Sequence, residues 1–426
     1  MDGPTPQYDV ITVGGGMAGA SLAVAMAQRG ARVLVVERTS RFTDRVRGEA
    51  MHPWGVSEVQ ALGLWPTYTE GGAHELPYWR YHPPRVSLVT KTDTTGVRHL
   101  PSTTPSSLPE VSFYHPTIQE GLLRRAETAG AEAWRGATVQ GVRPGYPASV
   151  VVRRAGRDLE LTTRLIVAAD GRGSAARGWG GFRVERDPDS TMIAGLLFDD
   201  LDLDDTAIHG YRSPPTEGSA LLFPQGAGRV RVYFIYPTRS ELRLSGPGDV
   251  EIFIKRCVSV GIPETVLRRA KPVGPLASFN AADHWVTHPY AAGVALVGDA
   301  ATSSNPGFGM GLSLAARDVR LLRDRLLESP NWEEAGHGYA ADHDRYYTTI
   351  RRWHAWVNEM NQPQGPAADD WRAKIIEVCT REPDRVPDVV LGGPDIELDE
   401  RLKIKFFADD IAEIARAREA AFANQA

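Results

Sequence analysis

Short apolar runs alternate with a glycine-rich turn and a helix-forming segment at the start of the chain. Residues 10–13 and 32–36 are mainly apolar, with Thr12 and Arg32 as the exceptions, and residues 20–28 between them are rich in alanine. Gly14, Gly16 and Gly19 separate the first run from the alanine-rich segment, and Glu37 ends the second run. This pattern predicts a strand, a glycine turn, a helix, a second strand and an acidic residue, in that order.

Each glycine of the turn has a physical role in a dinucleotide site. Gly14 allows the tight turn, Gly16 lets a pyrophosphate approach the backbone, and Gly19 lets the helix pack closely on the strand. We expect the free amides at the helix start, including those of Met17 and Ala18, to face the diphosphate. Glu37 is placed to accept a hydrogen bond from a ribose hydroxyl. At this point the dinucleotide can be NAD or FAD.

The rest of the chain predicts two intertwined domains and a tail. Residues 56–64, 117–129 and 312–328 have helical periodicity, and strand patterns with hairpin turns dominate residues 184–282. The hairpin of residues 221–236 is apolar on both faces, so we expect one face to cover a cavity. The predicted domains are a nucleotide-binding domain of residues 1–75, 101–183 and 283–330, a substrate-binding β-sheet domain of 76–100 and 184–282, and a helical region of 331–426.

Composition limits the class of protein. The 426 residues exceed one typical core, and the net charge of −5 gives no reason to expect nucleic acid or an anionic membrane as a partner. The two cysteines, Cys257 and Cys379, support neither a disulfide framework nor a metal site and favour a reducing cytoplasm. We expect a cytoplasmic protein without a membrane segment, because no uninterrupted apolar run has membrane length.

Three separated motifs together resemble a known family. They are the turn of residues 14–19 with Glu37 and Arg38, the segment 169–177 with its Asp-Gly pair, and the segment 298–311 with its Gly-Asp pair. In this order they resemble the class A FAD-dependent monooxygenases, the aromatic hydroxylase family with the p-hydroxybenzoate hydroxylase fold. The resemblance implies an α/β protein (α+β overall). It has a Rossmann-like FAD-binding domain, an inserted antiparallel β-sheet substrate domain and a helical C-terminal tail.

The resemblance also implies roles for individual residues. Asp299 would bind the ribityl or ribose part of FAD, and the amides of Met310, Gly311 and Leu312 would face the N1–C2=O edge of the flavin. Asp170 would help to hold FAD and the nicotinamide cofactor, partly by anchoring arginines, and Arg47 would lie near the flavin. The other expected cofactor contacts are Arg38, Gln119, Val139, Gly171, Pro306 and Gly309.

Some positions depart from the family pattern. Thr302 and Ser313 replace a usual His and Asn, and His115 stands where hydroxylases usually carry an Arg. The related flavin-dependent halogenases carry a lysine before a Gly-Glu pair, but residues 46–49 contain none. No second glycine cradle is present, so we expect the nicotinamide to bind only in passing.

We expect NADH or NADPH to reduce FAD and O2 then to form a flavin hydroperoxide. That species would hydroxylate or epoxidise a small organic substrate, aromatic or polyketide-like, in bacterial specialised metabolism. His52 and Arg47 are the candidate catalytic residues, since a base would help with a phenol. The candidate pocket residues are Tyr211, Leu222, Pro224 and Tyr233.

Other functions and partners also stay open. The same fold could serve a reductase or oxidase of the geranylgeranyl-reductase type, a halogenase, or a flavin-binding protein without catalysis. A separate flavin reductase could supply electrons, and the protein is expected to be a monomer or a homodimer.

Overall fold

A computed structural model describes residues 6–46, 48–82, 87, 89–212 and 218–423. Over these residues the fold is mixed α/β, with two large β-sheets and a helical C-terminal region.

The first large sheet carries the glycine turn. Its strands, in order across the sheet, are Tyr290–Ala291, Val294–Leu296, Arg157–Ala168, Tyr8–Val13, Val33–Glu37 and Glu132–Arg135, with Thr138–Arg143 and Ala148–Arg154 as antiparallel extensions. The central strands pair in parallel and are buried on both faces, as their continuous apolar runs predict.

Helices cover this sheet. They are Met17–Ala27, Pro53–Ala61, Trp65–Glu70, His115–Thr128, Ala176–Trp179 and Gly311–Glu328. The helix Met17–Ala27 is apolar on all sides, and ten of its eleven residues are buried. It is enclosed by the sheet and by the helices His115–Thr128 and Gly311–Glu328.

The second large sheet is mostly antiparallel. In order, its strands are Lys271–Pro272, Thr191–Asp199, Val230–Pro237, Ser219–Pro224, Ala207–Arg212, Tyr78–His82 and Val97–His99, with Ala277–Asn280 paired to Thr191–Asp199. The predicted hairpin is confirmed, with Leu221 opposite Tyr233. One neighbouring pair, Ala207–Arg212 with Tyr78–His82, is parallel.

Smaller elements complete both domains. The two three-stranded sheets consist of Glu185–Arg186, His284–Trp285 and Thr302–Ser303, and of Ala50–Met51, Glu110–Ser112 and His74–Leu76. Short helices are Leu100–Thr103, Val250–Ser259 and Glu264–Leu267, and 3-10 turns are Thr238–Ser240, Pro247–Asp249, Gly298–Ala300, Pro306–Phe308 and Pro383–Arg385. The helix Val250–Ser259 packs on the face of the second sheet that points away from the first domain.

The C-terminal region is helical, as predicted. Its helices are Trp332–Asn361, Pro366–Arg381, Val389–Gly392, Glu400–Phe407 and Ala412–Ala423. Trp353 is fully buried and packs against Phe406, with ring centroids 5.1 Å apart. The same apolar cluster includes Trp79 and Phe223 of the second sheet, so the tail closes one side of the space between the domains. No helix of the described ranges is long and apolar enough to cross a membrane.

Candidate functional site

The glycines of the N-terminal turn have two different environments. A Cβ atom at Gly19 would lie 2.0 Å from the carbonyl oxygen of Gly14, and one at Gly14 would lie 2.5 Å from the carbonyl oxygen of Ala169. A Cβ atom at Gly16 would have one neighbour, the side-chain nitrogen of Gln119 at 3.6 Å, and Gly16 lines a cavity. Gly14 and Gly19 therefore serve packing, whereas Gly16 leaves the backbone open to the cavity.

The helix Met17–Ala27 directs its first turn at this cavity. Gly16 is its N-cap, and neither a side-chain cap nor an acidic side chain occupies the first turn. The first amides of a helix have no partner within the helix, and the helix dipole favours an anion there. With Met17 and Ala18 lining the cavity, this end fits a diphosphate.

Glu37 fastens the glycine turn to the second strand. Its Oε2 accepts a hydrogen bond from the amide of Gly15 at 2.9 Å, and its Oε1 accepts from the amide and hydroxyl of Thr39 at 2.8 and 2.7 Å. Glu37 also lines the cavity. Because each carboxylate oxygen has two lone pairs, Glu37 can accept a further hydrogen bond from a ribose hydroxyl.

Asp170 has one satisfied and one unsatisfied oxygen. Its Oδ2 accepts hydrogen bonds from the amides of Ala175 and Ala176, at 2.9 and 3.2 Å. Its Oδ1 is buried and has no hydrogen-bond partner among the described residues, and Asp170 lines the cavity. A buried oxygen without a donor is costly, so a ligand hydroxyl or amide fits this position.

Arg177 joins the Asp-Gly and Gly-Asp motifs. Its Nε donates to the carbonyl of Ala300 at 2.7 Å, and its Nη2 donates to the carbonyl of Asp299. Burial lowers the pKa of the Arg177 guanidinium, and the charges of Asp170 and Asp299 oppose that shift. The two motifs, far apart in sequence, therefore form one wall.

Asp318 is fully buried and holds the Gly-Asp motif by a hydrogen bond. The Oδ2 atom of Asp318 accepts from the amide of Gly298 at 2.8 Å, and its Oδ1 atom accepts from the hydroxyl of Tyr346. Burial raises the pKa of the Asp318 carboxyl. A Cβ atom at Gly311 would lie 3.8 Å from Oδ1 of Asp299, which places this carboxylate beside the start of the helix Gly311–Glu328.

The turn before that helix presents backbone to the cavity. Asn305 Oδ1 accepts from the amide of Gly307 at 2.9 Å, and Gly309 has a φ of 70°. Gly311 and Leu312 line the cavity at the first turn of the helix. A helix N-terminus stabilises negative charge, such as a reduced flavin develops at its N1–C2=O edge.

Most of the predicted cofactor contacts come together around this one cavity. Those that line it are Gly14, Gly16, Met17, Ala18, Glu37, Arg38, Gln119, Val139, Asp170, Gly171, Asp299, Pro306, Gly309, Gly311 and Leu312. Gly19 packs behind the turn, and the side chain of Met310 is fully buried in the core. Arg47 lies outside the described residues.

The cavity, of about 1260 Å³, continues from the glycine turn to the second sheet. On the central strands of this sheet, the apolar and aromatic side chains that line the cavity include Ile193, Leu221, Phe223, Tyr233 and Ile235. They alternate with side chains buried on the opposite face, as strand geometry requires. The expectation that one face of the hairpin covers a cavity is confirmed.

Three of the four predicted pocket residues lie elsewhere. Tyr211 and Leu222 point to the opposite face of the sheet, where they pack with the helix Val250–Ser259. Pro224 does not line the cavity either, and its carbonyl accepts a hydrogen bond from Ser112. These assignments are corrected because the strand register, which the sequence did not define, turns alternate side chains away. Tyr233 does line the cavity.

Tyr233 belongs to a buried charged cluster with Asp44, Glu49 and Arg231. The Tyr233 hydroxyl donates to Glu49, and the fully buried Arg231 lies 2.6 Å from Asp44 and 3.2 Å from Glu49. Burial raises the pKa of Glu49, and Arg231 opposes that shift. Burial also raises the pKa of Tyr233 well above its ordinary value. The cluster places a tyrosine hydroxyl and a carboxylate, both titratable, at the cavity wall.

His52 lines the cavity but has protein partners at both ring nitrogens. Nε2 lies 2.7 Å from the carbonyl oxygen of Phe308, and Nδ1 lies 3.1 Å from Glu110. Nε2 is occupied by Phe308, and Nδ1 is buried against Glu110 and not accessible to a substrate proton, so the geometry does not support His52 as a base. His115 is held similarly, with Nδ1 2.6 Å from the carbonyl oxygen of Gly48, and burial lowers its pKa.

The helical tail supplies a wall that the sequence did not indicate. The tail residues at the cavity are Val357, Asn358, Met360, Asn361, Asp369, Arg372, Ala373, Ile376 and Val390. The sequence analysis also did not identify Glu110, Arg231 and Asp44 as residues near the site. Charged residues within short strands or loops carry no local sign of burial, and no motif could have identified them.

Comparisons with known proteins agree with this geometry. A profile of the FAD binding domain family matches residues 7–362. The 6-methylpretetramide 4-monooxygenase of Streptomyces rimosus is 28% identical over 330 residues, covering 73% of this chain and 73% of that protein. The mitochondrial squalene epoxidase 2 of Arabidopsis thaliana is 23% identical over 396 residues, covering 87% of this chain. The match spans 63% of that protein, less than two thirds of its length.

Among solved structures, the flavin-dependent halogenase CmlS has a similar fold, with a TM-score of 0.71. The superposition covers 99% of this chain and 78% of that chain, and the sequences are 16% identical. At that identity the likeness shows the fold alone. The family match includes the three motifs and most residues of the cavity. The prediction is therefore confirmed: the chain belongs to the FAD binding domain family and is a class A FAD-dependent monooxygenase.

Proposed function

We propose that this monooxygenase uses NADH or NADPH and O2 to hydroxylate or epoxidise a small organic substrate of the aromatic or polyketide-like type. One observation carries the proposal: a single cavity joins the glycine turn to an apolar wall formed by the second sheet and the tail. A ligand that fills the first part and a substrate that fills the second would therefore meet without a barrier between them.

The composition of the wall supports the substrate class. Aromatic side chains at the second sheet include Trp79, Tyr81, Phe223 and Tyr233, and Phe279 lies nearby. Flat apolar rings pack well against such side chains. Asn358 and Asn361 of the tail add amide groups that can bind substrate hydroxyls or carbonyls.

FAD, when bound, supplies the redox and oxygen chemistry, and the protein supplies orientation and exclusion of water. We assign the cofactor site to the glycine turn, the wall of Asp170 and Asp299, and the helix start at Gly311. The sheet and the tail hold the substrate and keep it dry. For a phenolic substrate, we propose a proton relay: the substrate proton passes to the hydroxyl oxygen of Tyr233 while the proton of Tyr233 passes to Glu49, which is the acceptor.

The remaining assignments follow from the sequence. Because the sequence has no second glycine cradle, the nicotinamide cofactor is proposed to bind only transiently. The alternative electron source is a separate flavin reductase. A cytoplasmic monomer or homodimer is proposed on the basis of composition.

The test is oxygen-dependent NAD(P)H oxidation by the yellow protein across a panel of phenols, polyketides and indoles, with product masses measured. A product heavier by one oxygen is expected. A product that differs from the substrate only in the number of hydrogen atoms would indicate a reductase or oxidase. A halogen-containing product would indicate a halogenase. Flavin that no donor reduces would contradict catalysis altogether.

A further inference from the structure

A chain of buried contacts connects the substrate wall to the flavin-side turn. Trp79 Nε1 donates to Oε2 of Glu110 at 2.8 Å, and Oε1 of Glu110 lies 3.1 Å from Nδ1 of His52. The other ring nitrogen of His52 lies 2.7 Å from the carbonyl oxygen of Phe308. Glu110 is fully buried and His52 is 2% exposed, so water does not compete for these contacts.

The partners of His52 define its protonation. A carbonyl oxygen only accepts, so Nε2 must carry a proton toward Phe308. Nδ1 and Oε1 of Glu110 are both buried and lie 3.1 Å apart, at ion-pair distance but without hydrogen-bond geometry. At that distance a second proton on Nδ1 makes the contact an attractive ion pair, whereas a neutral ring would leave the carboxylate oxygen without a positive partner. Trp79 donates to the other oxygen of Glu110 and so holds the carboxyl group in place beside the imidazolium.

The electrostatics agree with this assignment. Burial alone would lower the pKa of His52. The charge of Glu110 and the hydrogen bonds to Glu110 and Phe308 outweigh burial, with Asp388 contributing from further away, and the pKa is raised. Asp388 is itself paired with Arg98 at 2.6 Å.

His52 also contacts the turn and the helix that follows it. A Cβ atom at Gly309 would lie 3.1 Å from Cε1 and Nε2 of His52, so the imidazole packs directly on this residue. The backbone amide of His52 donates to Oγ of Ser313 at 3.2 Å, within the first turn of Gly311–Glu328. His52 therefore holds both segments that present backbone to the cofactor end of the cavity.

We propose that His52 is a positioning residue. As an imidazolium paired with Glu110, it fixes the turn of residues 306–309 for FAD and links that turn to Trp79 on the substrate wall. The placement of FAD at the turn rests on the proposed function, but the protonation of His52 does not.

The first test measures protonation directly. Nitrogen-15 NMR of histidine-labelled, FAD-loaded protein, with His52→Phe used for assignment, is expected to show both His52 ring nitrogens protonated at pH 7. A neutral His52 ring at pH 7 would overturn the proposal. This measurement needs no turnover, so it stands even if no substrate is found.

The second test compares variants by flavin titration and by the visible circular dichroism of bound FAD. In Glu110→Gln the new amide group can donate a proton to Nδ1, so His52 becomes neutral. Its hydrogen bond to the carbonyl oxygen of Phe308 remains, and FAD affinity is therefore expected to stay within about threefold of wild type. His52→Phe keeps a ring but loses both contacts, so affinity is expected to fall about tenfold, with a changed flavin spectrum.

His74→Phe is the matched control, because it loses a comparable contact with the carbonyl of Asp205, 2.6 Å from Nε2, away from the cavity. Wild-type FAD affinity and spectrum in His52→Phe would show that His52 only fills space. If His52→Phe fails to fold, Glu110→Gln supplies the assignment: one doubly protonated histidine ring is expected to become neutral near pH 7, and a spectrum in which no imidazolium is lost would overturn the pairing.

Discussion

At the scale of single residues, Gly16 and Gly19 belong to the same turn, but each is a glycine for a different reason. Gly19 is required by protein packing, since a Cβ atom would meet the carbonyl oxygen of Gly14 at 2.0 Å. Gly16 has space for a methyl group within the protein, and that space faces the cavity. Gly19 is therefore required by the fold, whereas Gly16 is assigned to the proposed ligand site.

Two alanine substitutions separate these roles. Gly19→Ala is expected to destabilise the flavin-free protein by about 1–3 kcal/mol, because backbone must move. Gly16→Ala is expected to leave the unfolding free energy unchanged but to weaken FAD binding. Urea unfolding and flavin fluorescence titration measure the two effects, with Gly141→Ala, which has open space, as the control. Unchanged FAD affinity in Gly16→Ala would contradict the cradle.

Tyr233 provides a second test at this scale. Removing its hydroxyl in Tyr233→Phe breaks the proposed proton relay to Glu49, so kcat with a phenolic substrate is expected to fall about 100-fold. FAD content should not change. Tyr211→Phe is the matched control, because it makes the same change on the other face of the sheet. Equal activities of the two variants would rule out the role of Tyr233.

At the scale of elements, ion pairs fasten the long tail helix Trp332–Asn361 to the region of the second sheet. Arg351 lies 2.8 Å from Asp283 and 2.6 Å from Asp187, and Nδ1 of His354 lies 2.9 Å from Asp283. Asp283 is 2% exposed. A buried carboxylate with these partners fixes the helix that carries Val357 and Asn358 to the cavity.

These contacts predict a pH dependence of stability. Burial would raise the pKa of Asp283, but His354 and Arg351 outweigh it, and the pKa lies below the ordinary 3.8. A lowered pKa stabilises the fold at pH values above 3.8, and this contribution is lost as the pH falls toward the folded-state value. Wild type should therefore lose stability on acidification partly through Asp283.

Asp283→Asn tests this expectation. Breaking the buried pair is expected to cost about 3 kcal/mol at pH 7 and to flatten the acid side of the stability profile. Urea unfolding between pH 3 and 7 measures both. Asp158→Asn, which removes the exposed partner of Arg153, should leave the profile unchanged. A profile for Asp283→Asn that parallels wild type would refute the assignment.

At the scale of the whole molecule, three regions form the walls of the cavity. The first domain supplies the proposed cofactor end, the second sheet supplies the apolar wall, and the tail closes it. The tail is thereby part of the proposed substrate site, although it carries none of the three motifs.

A larger side chain on the cavity-lining part of the tail should weaken substrate binding without changing flavin binding. In Ala373→Trp the new side chain enters the substrate end of the cavity, so the KM for substrate is expected to rise roughly tenfold. Flavin content and substrate-free NAD(P)H oxidation should stay at wild-type values. Ala420→Trp, on an exposed position of another tail helix, is the control. A KM unchanged by Ala373→Trp would place the substrate elsewhere.

The sequence by itself identified the residues that form the proposed cofactor end of the cavity. The glycine spacing, Glu37 and the two Asp motifs each act over a few neighbouring residues, where backbone conformation and helix dipoles follow from local residue type. The helices and the hairpin were likewise found from periodicity, with bounds shifted by a few residues, as for the helix that starts at Pro53 and not at residue 56.

Only the tertiary structure decided which side chains reach the substrate. The strand register turned Tyr211 away and Tyr233 inward, and a shift of one residue would have reversed them. His52 meets Phe308 across 256 residues of sequence, and Tyr233 meets Glu49 across 184. Such contacts depend on how whole domains and the tail pack together, and no local pattern encodes that.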